Sequence, residues 1–426
     1  MKHFLGLAVL LALCAQMEAA QQTISGEWML TVNDPLGKYF QRLSISTKGD
    51  AITGTARGRP IEGTVKDGTL ELKIDAGLTL TGTISGSELR GDATFPDRRG
   101  TWIAVRVPAR PSVPTTHQFE PTSFPRFFSS TVQPVLTIRP GDTVRTWSVD
   151  AGGRDKAGNR RVGGGNPQTG PFYVEGALPN DTLVVRFDKV RTNRDWAASG
   201  RSVLRTALDP STLDTLKWDN QFPNRWTIDA VNSVVFLEKP TEALQQLKLP
   251  LAPMVGCVAV APPQASAIRT GDSGRFGGNM DYNEIREGTT VYLPVYHPGA
   301  LLFVGDGHAS QGDGELTGDA LETSMDLEFT VDVLPGKSLD QPFLDTTDFF
   351  TSIGIAGTLD QALQQANSGL MRWLNREYNL NPNESSMVLG FAIEYDVVDL
   401  VGAQVSIAAK VPKKVLNQLR KPTAAQ

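Results

Sequence analysis

Short runs of alternating apolar and polar residues, separated by turns, dominate the first quarter of the chain. Eight such runs lie between residues 21 and 107, at 28–32, 39–45, 52–56, 61–65, 69–74, 78–84, 89–95 and 102–107. Sequences such as Lys48-Gly49-Asp50 and Lys66-Asp67-Gly68 separate them. Alternation with period two places one face of each strand toward a core, and short turns join neighbouring strands in antiparallel order. Closure would remove the exposed edges, so residues 21–107 are predicted to form a small antiparallel β-barrel domain. It shows no constellation of catalytic residue types, which favours an accessory role.

The composition is that of a globular protein with several domains. The chain has 426 residues, of which 20% are charged, with 41 Lys and Arg against 46 Asp and Glu. The resulting net charge of −5 argues against a nucleic-acid-binding protein, which needs a basic surface. No nucleic-acid partner is therefore expected.

The opening residues have the pattern of a secretory signal peptide. Lys2 and His3 precede an apolar run over 4–15, and small residues stand before a cleavage point after Ala20. The run is shorter than the roughly 20 apolar residues that cross a bilayer. Residues 1–20 are therefore predicted to be removed and the protein to be exported, periplasmic or secreted, with no membrane contact after cleavage. Cys257 would then be the remaining thiol, so no internal disulfide is expected.

A proline-rich stretch over residues 108–126 is predicted to be the linker between two parts of the chain. Beyond it, strand-like runs alternate with long glycine-rich and carboxylate-rich loops. One segment is helical, because Leu359, Leu363, Leu370 and Leu374 recur at helical spacing after a capping Thr358. Residues 127–426 are thus predicted to be a mainly β region with a small α/β element near the C-terminus.

Carboxylates, a histidine and glycines are concentrated between residues 277 and 315. The stretch contains Gly277-Gly278-Asn279-Met280-Asp281 and the run from Gly305 to Glu315, which includes His308. Glycine permits tight turns, so several carboxylates can point at one centre, where a bound cation would offset their repulsion. A histidine beside them suits zinc or another transition ion better than an ion that binds only oxygen. A solvated acidic loop is the alternative.

Other motifs carry less chemistry. Gly271-Asp272-Ser273-Gly274 is similar to the nucleophile loop of chymotrypsin-like proteases, but the only upstream histidine of the mature chain is His117, in the linker. Cys257 lies in an apolar run, which favours a buried, unreactive thiol.

The same stretch resembles the acetamidase/formamidase family. The resemblance is carried by the run Gly305-Asp306-Gly307-His308-Ala309-Ser310-Gln311-Gly312-Asp313-Gly314-Glu315, by residues 277–281 and 298–302, and by the sequence from Ala320 to Asp326. Upstream, residues 134–144, 150–153 and 166–177 also match. The resemblance extends from near Ser129 to near Leu416 and leaves out the barrel-like region.

The resemblance implies a jelly-roll-type β-sandwich, homo-oligomers, and a metal-dependent site that hydrolyses short linear amides to a carboxylate and ammonia. The family motifs carry the candidate site onto Asp150, Asp281, His308, Asp313 and Glu315. Zinc is the first candidate for the metal and calcium the second.

Within that set the roles are our own hypothesis. We assign Asp150, Asp281 and His308 to the metal, Glu315 and Asp313 to catalysis, and Asn279 and Gln311 to substrate binding, with no organic cofactor. Two alternatives stay open: an exported, non-catalytic binding protein that retains the metal loop, and an amidase for a larger amide. The stretch from Thr192 to Trp226 matches the family least, so a place beside the pocket would bear on substrate choice.

Overall fold

The computed structural model describes residues 24–74, 77–85 and 87–421. The predicted signal peptide, residues 1–20, lies outside them. The chain divides into two compact units: one runs to Ala109 and includes Leu178–Asn180, and the other holds Arg110–Ala177 and the chain from Asp181 onward. Among the described residues, no helix combines the length and apolar character needed to cross a membrane.

The first unit is a closed barrel of eight antiparallel strands. In chain order these are β1 (Gly26–Asp34), β2 (Gly37–Lys48), β3 (Ala51–Ala56), β4 (Arg59–Lys66), β5 (Thr69–Ile74), β6 (Leu78–Ser85), β7 (Glu88–Thr94) and β8 (Arg99–Arg106). Each strand pairs with the next, and β1 closes the barrel by pairing with β8, with Leu30 opposite Ala104.

The barrel core follows from the alternation in the sequence. Trp28, Leu30 and Val32 on β1 are buried while their neighbours are partly exposed. The indole N–H of Trp28 donates to the carbonyl of Ile24 at 2.9 Å, so this ring is both buried and satisfied. All eight predicted strand runs lie on observed strands, and the predicted barrel is confirmed.

Within its described residues, the second unit contains 22 strands, most of them short. The first half comprises β9 (Thr116–Gln118), β10 (Phe127–Ser129), β11 (Leu136–Ile138), β12 (Thr143–Ser148), β13 (Gln168–Val174), β14 (Thr182–Thr192), β15 (Trp196–Ala198), β16 (Arg225–Asp229), β17 (Val234–Leu237), β18 (Leu249–Pro250) and β19 (Met254–Ala259). The second half comprises β20 (Ala267–Arg269), β21 (Ser273–Gly274), β22 (Gly277–Asn279), β23 (Thr290–Pro294), β24 (Leu302–His308), β25 (Glu322–Thr323), β26 (Met325–Leu334), β27 (Phe343–Asp345), β28 (Phe349–Ala356), β29 (Glu394–Asp399) and β30 (Val405–Pro412).

Twenty of these strands form two large sheets, and β10 and β20 pair with each other in a small third one. The first has 11 strands, in the order β18-β17-β16-β15-β25-β24-β19-β22-β21, with β13 and β11 branching from β24. The second has nine, in the order β29-β30-β28-β27-β23-β14-β26-β12-β9. Part of the proline-rich stretch is therefore sheet, because β9 pairs in parallel with β12.

The two sheets share one apolar core. Val255 and Val258 on β19 of the first sheet belong to the same buried cluster as Leu183 and Val185 on β14 of the second. Phe172 on β13 meets Phe329 on β26 edge to face, with ring centroids 5.4 Å apart. The predicted mainly β fold class is confirmed, and the shared core makes the second unit a sandwich.

Helices are few and short, apart from one pair near the C-terminus. They are α1 (Pro210–Thr215), α2 (Leu359–Tyr378), α3 (Pro382–Ala392) and α4 (Lys413–Leu416), with 3₁₀ turns at Arg205–Ala207 and Glu242–Leu244. The hydroxyl of Thr358 accepts from the backbone N–H of Gln361 at the start of α2, as the capping pattern predicted. Leu370 and Leu374 of α2 pack with Val411 of β30.

Candidate metal centre

The candidate site is built around the end of β24, a strand buried along its whole length. Asp306 and His308 are two residues apart, so their side chains lie on the same face. The strand pairs with β25 on one side, which sets His308 opposite Glu322, and with β19 on the other, which sets it opposite Met254. Sheet pairing thus brings an acid from another strand to the histidine.

The other acids reach the same place from loops. Asp281 follows β22 by two residues, and Glu315 lies in the loop between β24 and β25. Asp281, Asp306 and Glu315 have φ angles of 45°, 59° and 46°. Residues other than glycine rarely adopt this left-handed conformation, and such residues cluster at functional sites.

The imidazole and the carboxylates converge within a few ångströms. Nε2 of His308 lies 3.1 Å from Oε1 of Glu322, 3.5 Å from Oδ1 of Asp306 and 3.9 Å from Oδ1 of Asp281. Three overlapping sets have potential ligand atoms within 4.8 Å of one another: Asp281, Asp306 and His308; His308, Glu315 and Glu322; Asp281, Glu315 and Asp399.

Each of three carboxylates uses one oxygen to hold the protein together and leaves the other without a partner. Oδ2 of Asp281 accepts from Asn279, and Oε1 of Glu322 accepts from the backbone N–H of Ala320 at 3.1 Å. Oδ2 of Asp306 accepts from Asn166 at 2.9 Å. No hydrogen-bond partner among the described residues satisfies Oδ1 of Asp281, Oδ1 of Asp306, Oε2 of Glu322 or Nε2 of His308, all four of them buried.

Orphaned buried polar atoms carry a large desolvation cost unless something binds them. Nε2 of His308 has two of these oxygens, Oδ1 of Asp306 and Oδ1 of Asp281, at 3.5 and 3.9 Å, and together they offer the donor set of a divalent cation. The residues present therefore fit a metal ion.

Burial and mutual repulsion shift the pKa values of Asp281, Glu315 and Glu322 upward. Burial, followed by the nearby Glu315 and Asp306 carboxylates, raises the pKa of Asp281 well above its ordinary value. Burial raises the pKa of Glu315 to about 7 even though His308 opposes the shift. It raises the pKa of Glu322 to about 8 against the same opposition. The raised pKa values favour the protonated forms of these three acids in the absence of a cation, and a bound cation would displace the protons.

Gln311 determines which nitrogen of the His308 imidazole faces the centre. The side-chain amide of Gln311 donates from Nε2 to the backbone carbonyl of Asp281, so its Oε1 faces His308. That oxygen lies 2.8 Å from Nδ1 of His308 and can only accept, which places a proton on Nδ1. Nε2 is then the nitrogen that faces the centre, as in metal-bound histidines whose other nitrogen is anchored.

The segment of the chain that holds this centre is similar to proteins of a known family. Residues 253–352, which hold Asp281, His308 and Glu315, match the model of the Acetamidase/Formamidase family. The formamidase of Methylophilus methylotrophus is 45% identical over 234 residues, covering 43% of this chain and 57% of that protein. A putative formamidase of Schizosaccharomyces pombe is 26% identical over 191 residues, covering 35% of this chain and 47% of that protein. The chain spans about half the length of these two relatives.

Solved structures extend the similarity over most of the second unit. The crystal structure of an acetamidase from Yersinia enterocolitica matches with a TM-score of 0.61 and 26% identity, covering 72% of this chain and 94% of that one. An acetamidase from Bacillus halodurans matches with a TM-score of 0.60 and 28% identity, covering 71% and 99%. The resemblance to the acetamidase/formamidase family is confirmed.

Three of the predicted site residues of this acetamidase/formamidase-like unit meet at one centre. Asp281, His308 and Glu315 all belong to the convergent sets. Asn279 and Gln311 lie beside them, hydrogen-bonded to Asp281 and His308. In this structure these two side chains position the cluster, and their predicted contact with substrate stays a prediction.

The structure does not bring Asp150 and Asp313 into the cluster. The carboxylate of Asp150 is buried against Arg194, with Oδ2 2.7 Å from Nη2, and also accepts from the backbone N–H of Arg154. Asp313 is exposed and accepts from the side-chain amide of Asn283 at 2.8 Å. Both stand outside the three sets of converging ligand atoms.

Three acids of the cluster were not among the predicted site residues: Asp306, Glu322 and Asp399. Asp306 is two residues before His308 on a strand, so the period-two rule could have identified it. Glu322 lies in the sequence that resembles the family, but its strand pairing is not visible there. Asp399 comes from the end of β29 through a bridge to Gly314, a contact that no local pattern signals.

Proposed function

We propose that the second unit is a metal-dependent amidase that hydrolyses a linear primary amide to a carboxylate and ammonia. The proposal rests on one observation: Nε2 of His308 and Oδ1 of Asp281 and of Asp306 are buried, lack hydrogen-bond partners among the described residues, and belong to one set of converging ligand atoms. The similarity to acetamidases and formamidases supplies the reaction class. A non-catalytic binding protein has no physical need for such a costly group of buried acids.

The ligands we propose are Nε2 of His308 and the unpartnered oxygens of Asp281, Asp306 and Glu322. A histidine among carboxylates favours zinc over calcium, which takes oxygen ligands. Such a cation would supply a Lewis acid that polarises the amide carbonyl and a lowered pKa for nearby water. Asp150 is left out of this set because Arg194 already neutralises its carboxylate.

Glu315 is the general base in this proposal. One of its oxygens is fixed by the backbone N–H of Ala320 at 2.7 Å, which leaves the other free to take a proton from the attacking water. Burial raises the pKa of Glu315 to about 7, where a carboxylate can accept and release a proton near neutral pH. The same carboxyl group then donates that proton to the departing amide nitrogen, which leaves as ammonia.

A cysteine-dependent amidase is less consistent with the structure. Cys257 is fully buried, and burial together with the nearby Asp306 and Asp281 raises the pKa of its thiol well above the ordinary value. A reactive cysteine needs the opposite environment, exposed and electropositive.

Export and self-association complete the proposal. The charged, apolar and small-residue pattern of residues 1–20 supports export, and N-terminal sequencing of protein from the periplasm or medium tests it. A chain that begins at Met1 in those fractions would overturn it. Self-association into a homo-oligomer, implied by the resemblance, is tested by light scattering, and a monomeric mass would overturn it.

The deciding experiment measures ammonia from formamide and acetamide with purified protein, as isolated, after chelation and after zinc is restored. We expect ammonia that disappears with chelation and returns with zinc, together with about one metal ion per chain by elemental analysis. Full activity in metal-free protein would refute the metal proposal. Absence of ammonia from every amide tested with zinc-loaded protein would refute the amidase proposal.

A further inference from the structure

A cavity of about 400 Å³ adjoins the candidate metal centre. Its lining includes Gln311 and Glu315, the residue that orients His308 and the proposed base. A reacting group at the centre would therefore lie at one end of this cavity. Cavities of this size hold drug-sized ligands, whereas acetamide carries only a methyl group on its carbonyl carbon.

The rest of the wall is mostly apolar. It includes Phe222, Trp226, Leu237, Leu244 and Leu247. Leu247 is 37% exposed, and Leu316, on the same wall, is 44% exposed. Large apolar side chains that remain accessible around a concave space mark a binding site for apolar groups.

Hydrogen bonds hold the two aromatic side chains of the wall in place. The indole N–H of Trp226 donates to the hydroxyl of Ser199 at 3.1 Å. Nε of Arg201 donates to the carbonyl of Phe222 at 2.8 Å, which fixes the turn that carries this ring. Asn224 donates to the carbonyl of Ser199 at 2.7 Å and joins the two segments. The apolar wall is thus pre-organised, which lowers the entropic cost of binding.

This wall is an extension of the sheet that carries the centre. Strands β16, β17 and β18 continue through β15 and β25 to β24. Strands β16, β17 and β18 lie outside residues 253–352, the segment that matches the family model. The stretch from Thr192 to Trp226 does border the cavity, because Phe222 and Trp226 line it.

We infer that the substrate is a primary amide whose acyl group is a medium-length alkyl chain or a phenylalkyl group, lodged against Trp226 and Leu247. The inference rests on the proposed amidase function. It specifies the substrate class of that same site: amides clearly larger than acetamide.

The first test compares kcat/KM for acetamide, butyramide, hexanamide and 3-phenylpropanamide with zinc-loaded protein. Each methylene that leaves water is expected to raise kcat/KM about fourfold until the cavity is filled. Hexanamide and 3-phenylpropanamide should therefore exceed acetamide by a factor of at least ten. Equal or declining values from acetamide to hexanamide would overturn the inference and leave the amidase proposal standing.

A rim variant locates the effect in this cavity. Leu247→Ser should lower the hexanamide-to-acetamide ratio of kcat/KM several-fold, since it replaces an apolar contact with a polar group on a partly exposed side chain. The matched control is Phe391→Ser on α3, where the ring is 86% exposed and outside the cavity, and the ratio should not change. An unchanged ratio in Leu247→Ser would count against the assigned wall.

Binding measurements separate this inference from the reaction. Calorimetry on the zinc-loaded Glu315→Gln protein should show hexanamide binding at least tenfold more tightly than acetamide, without turnover. Tight hexanamide binding by Glu315→Gln, together with no ammonia release from any amide by the zinc-loaded wild-type protein, would uphold the cavity inference and refute the amidase proposal. Equal and weak binding of both amides would overturn the cavity inference.

Discussion

Gly256 lies directly beneath His308: a Cβ atom added at residue 256 would stand 3.0 Å from Cε1 of the imidazole and also press on Oδ1 of Asp281. Neither neighbour can retreat easily, because both are buried and His308 is fixed by Gln311. Because residue 256 on β19 is a glycine and has no side chain, there is room for the centre at this point of the strand.

Gly256→Ala should therefore weaken metal binding by at least about tenfold, since metal sites are sensitive to small displacements of their supporting shell. The measurement is zinc affinity by competition with a chelating dye. Gly390→Ala on α3 is the control, because a Cβ there meets nothing within 4 Å. Wild-type zinc affinity in Gly256→Ala would show that the cluster tolerates the displacement and is not a tight centre.

Replacement of the proposed base tests the catalytic role of Glu315. Glu315→Gln keeps the shape and the bond from Ala320 but cannot take a proton, so kcat should fall by about 10² to 10⁴. Zinc content should change little, because the proposed ligands remain. Glu242→Gln, at an exposed site, is the matched control. A kcat within a factor of three of wild type would exclude Glu315 as the base.

The raised pKa values predict an unusual pH dependence of apoprotein stability. Burial raises the pKa of Glu322 from 4.5, and that of Asp399 from 3.8, to about 8 in both cases. The unfolded chain loses these protons above pH 4 to 5, whereas the folded apoprotein retains them until about pH 8. The folded state thus binds more protons in this window, and the free energy of unfolding falls as pH rises through it.

Thermal melting of metal-free protein should accordingly occur at least about 5 °C lower at pH 8 than at pH 5. Zinc should reverse or remove the difference, because bound carboxylates are deprotonated in the folded state. The melting temperature of Glu322→Gln apoprotein should depend less on pH than that of wild type. A metal-free protein that is more stable at pH 8 than at pH 5 would contradict the assignment.

Substitution of Asp150 distinguishes two roles for this residue, that of a metal ligand and that of a partner in a structural ion pair. Asp150 pairs with Arg194, and both side chains are at least nine-tenths buried. Removing one partner of a buried pair costs about 3–5 kcal/mol, because the other charge is left uncompensated. Asp150→Asn should therefore lower the unfolding free energy clearly while zinc stoichiometry stays the same. Loss of zinc without loss of stability would restore the predicted ligand role.

The control for this comparison is Asp332→Asn, which breaks an exposed pair with Arg110 at 2.8 Å. Exposed pairs contribute about 0–1 kcal/mol. Chemical denaturation of the three proteins, wild type and both variants, gives the ranking. A similar loss in both variants would show that burial does not distinguish the two ion pairs.

Local sequence patterns were sufficient for the barrel and for α2. Strand alternation such as Trp28, Leu30 and Val32 is a short-range signal, and so is the helical spacing after Thr358. Only part of the centre was predicted, namely Asp281, His308 and Glu315, which all lie in the glycine-rich stretch from residue 277 to residue 315. Asp399 enters through a bridge between distant segments, so no local pattern contains it.

The metal-ligand role predicted for Asp150 depends on a long-range contact of the same kind. The residue type and position of Asp150 fitted a metal ligand, but the sequence does not reveal that its carboxylate forms an ion pair with Arg194. Conversely, Asn166 was not singled out, although its amide binds both Asn279 and Asp306 at 2.8 and 2.9 Å. Long-range side-chain pairs of this kind depend on how the two sheets pack, which the sequence pattern does not specify.

The left-handed backbone at Asp281, Asp306 and Glu315 affects which mutations would be selected if the protein were evolved for heat resistance. Glycine at any of these positions would relieve backbone strain and remove a buried acid, so each such change should make the metal-free protein harder to unfold. A mutant library screened only for heat resistance would therefore enrich glycine at the three positions where the chemistry resides. Selection for heat resistance without an activity screen would therefore give a more stable protein that has lost its metal centre.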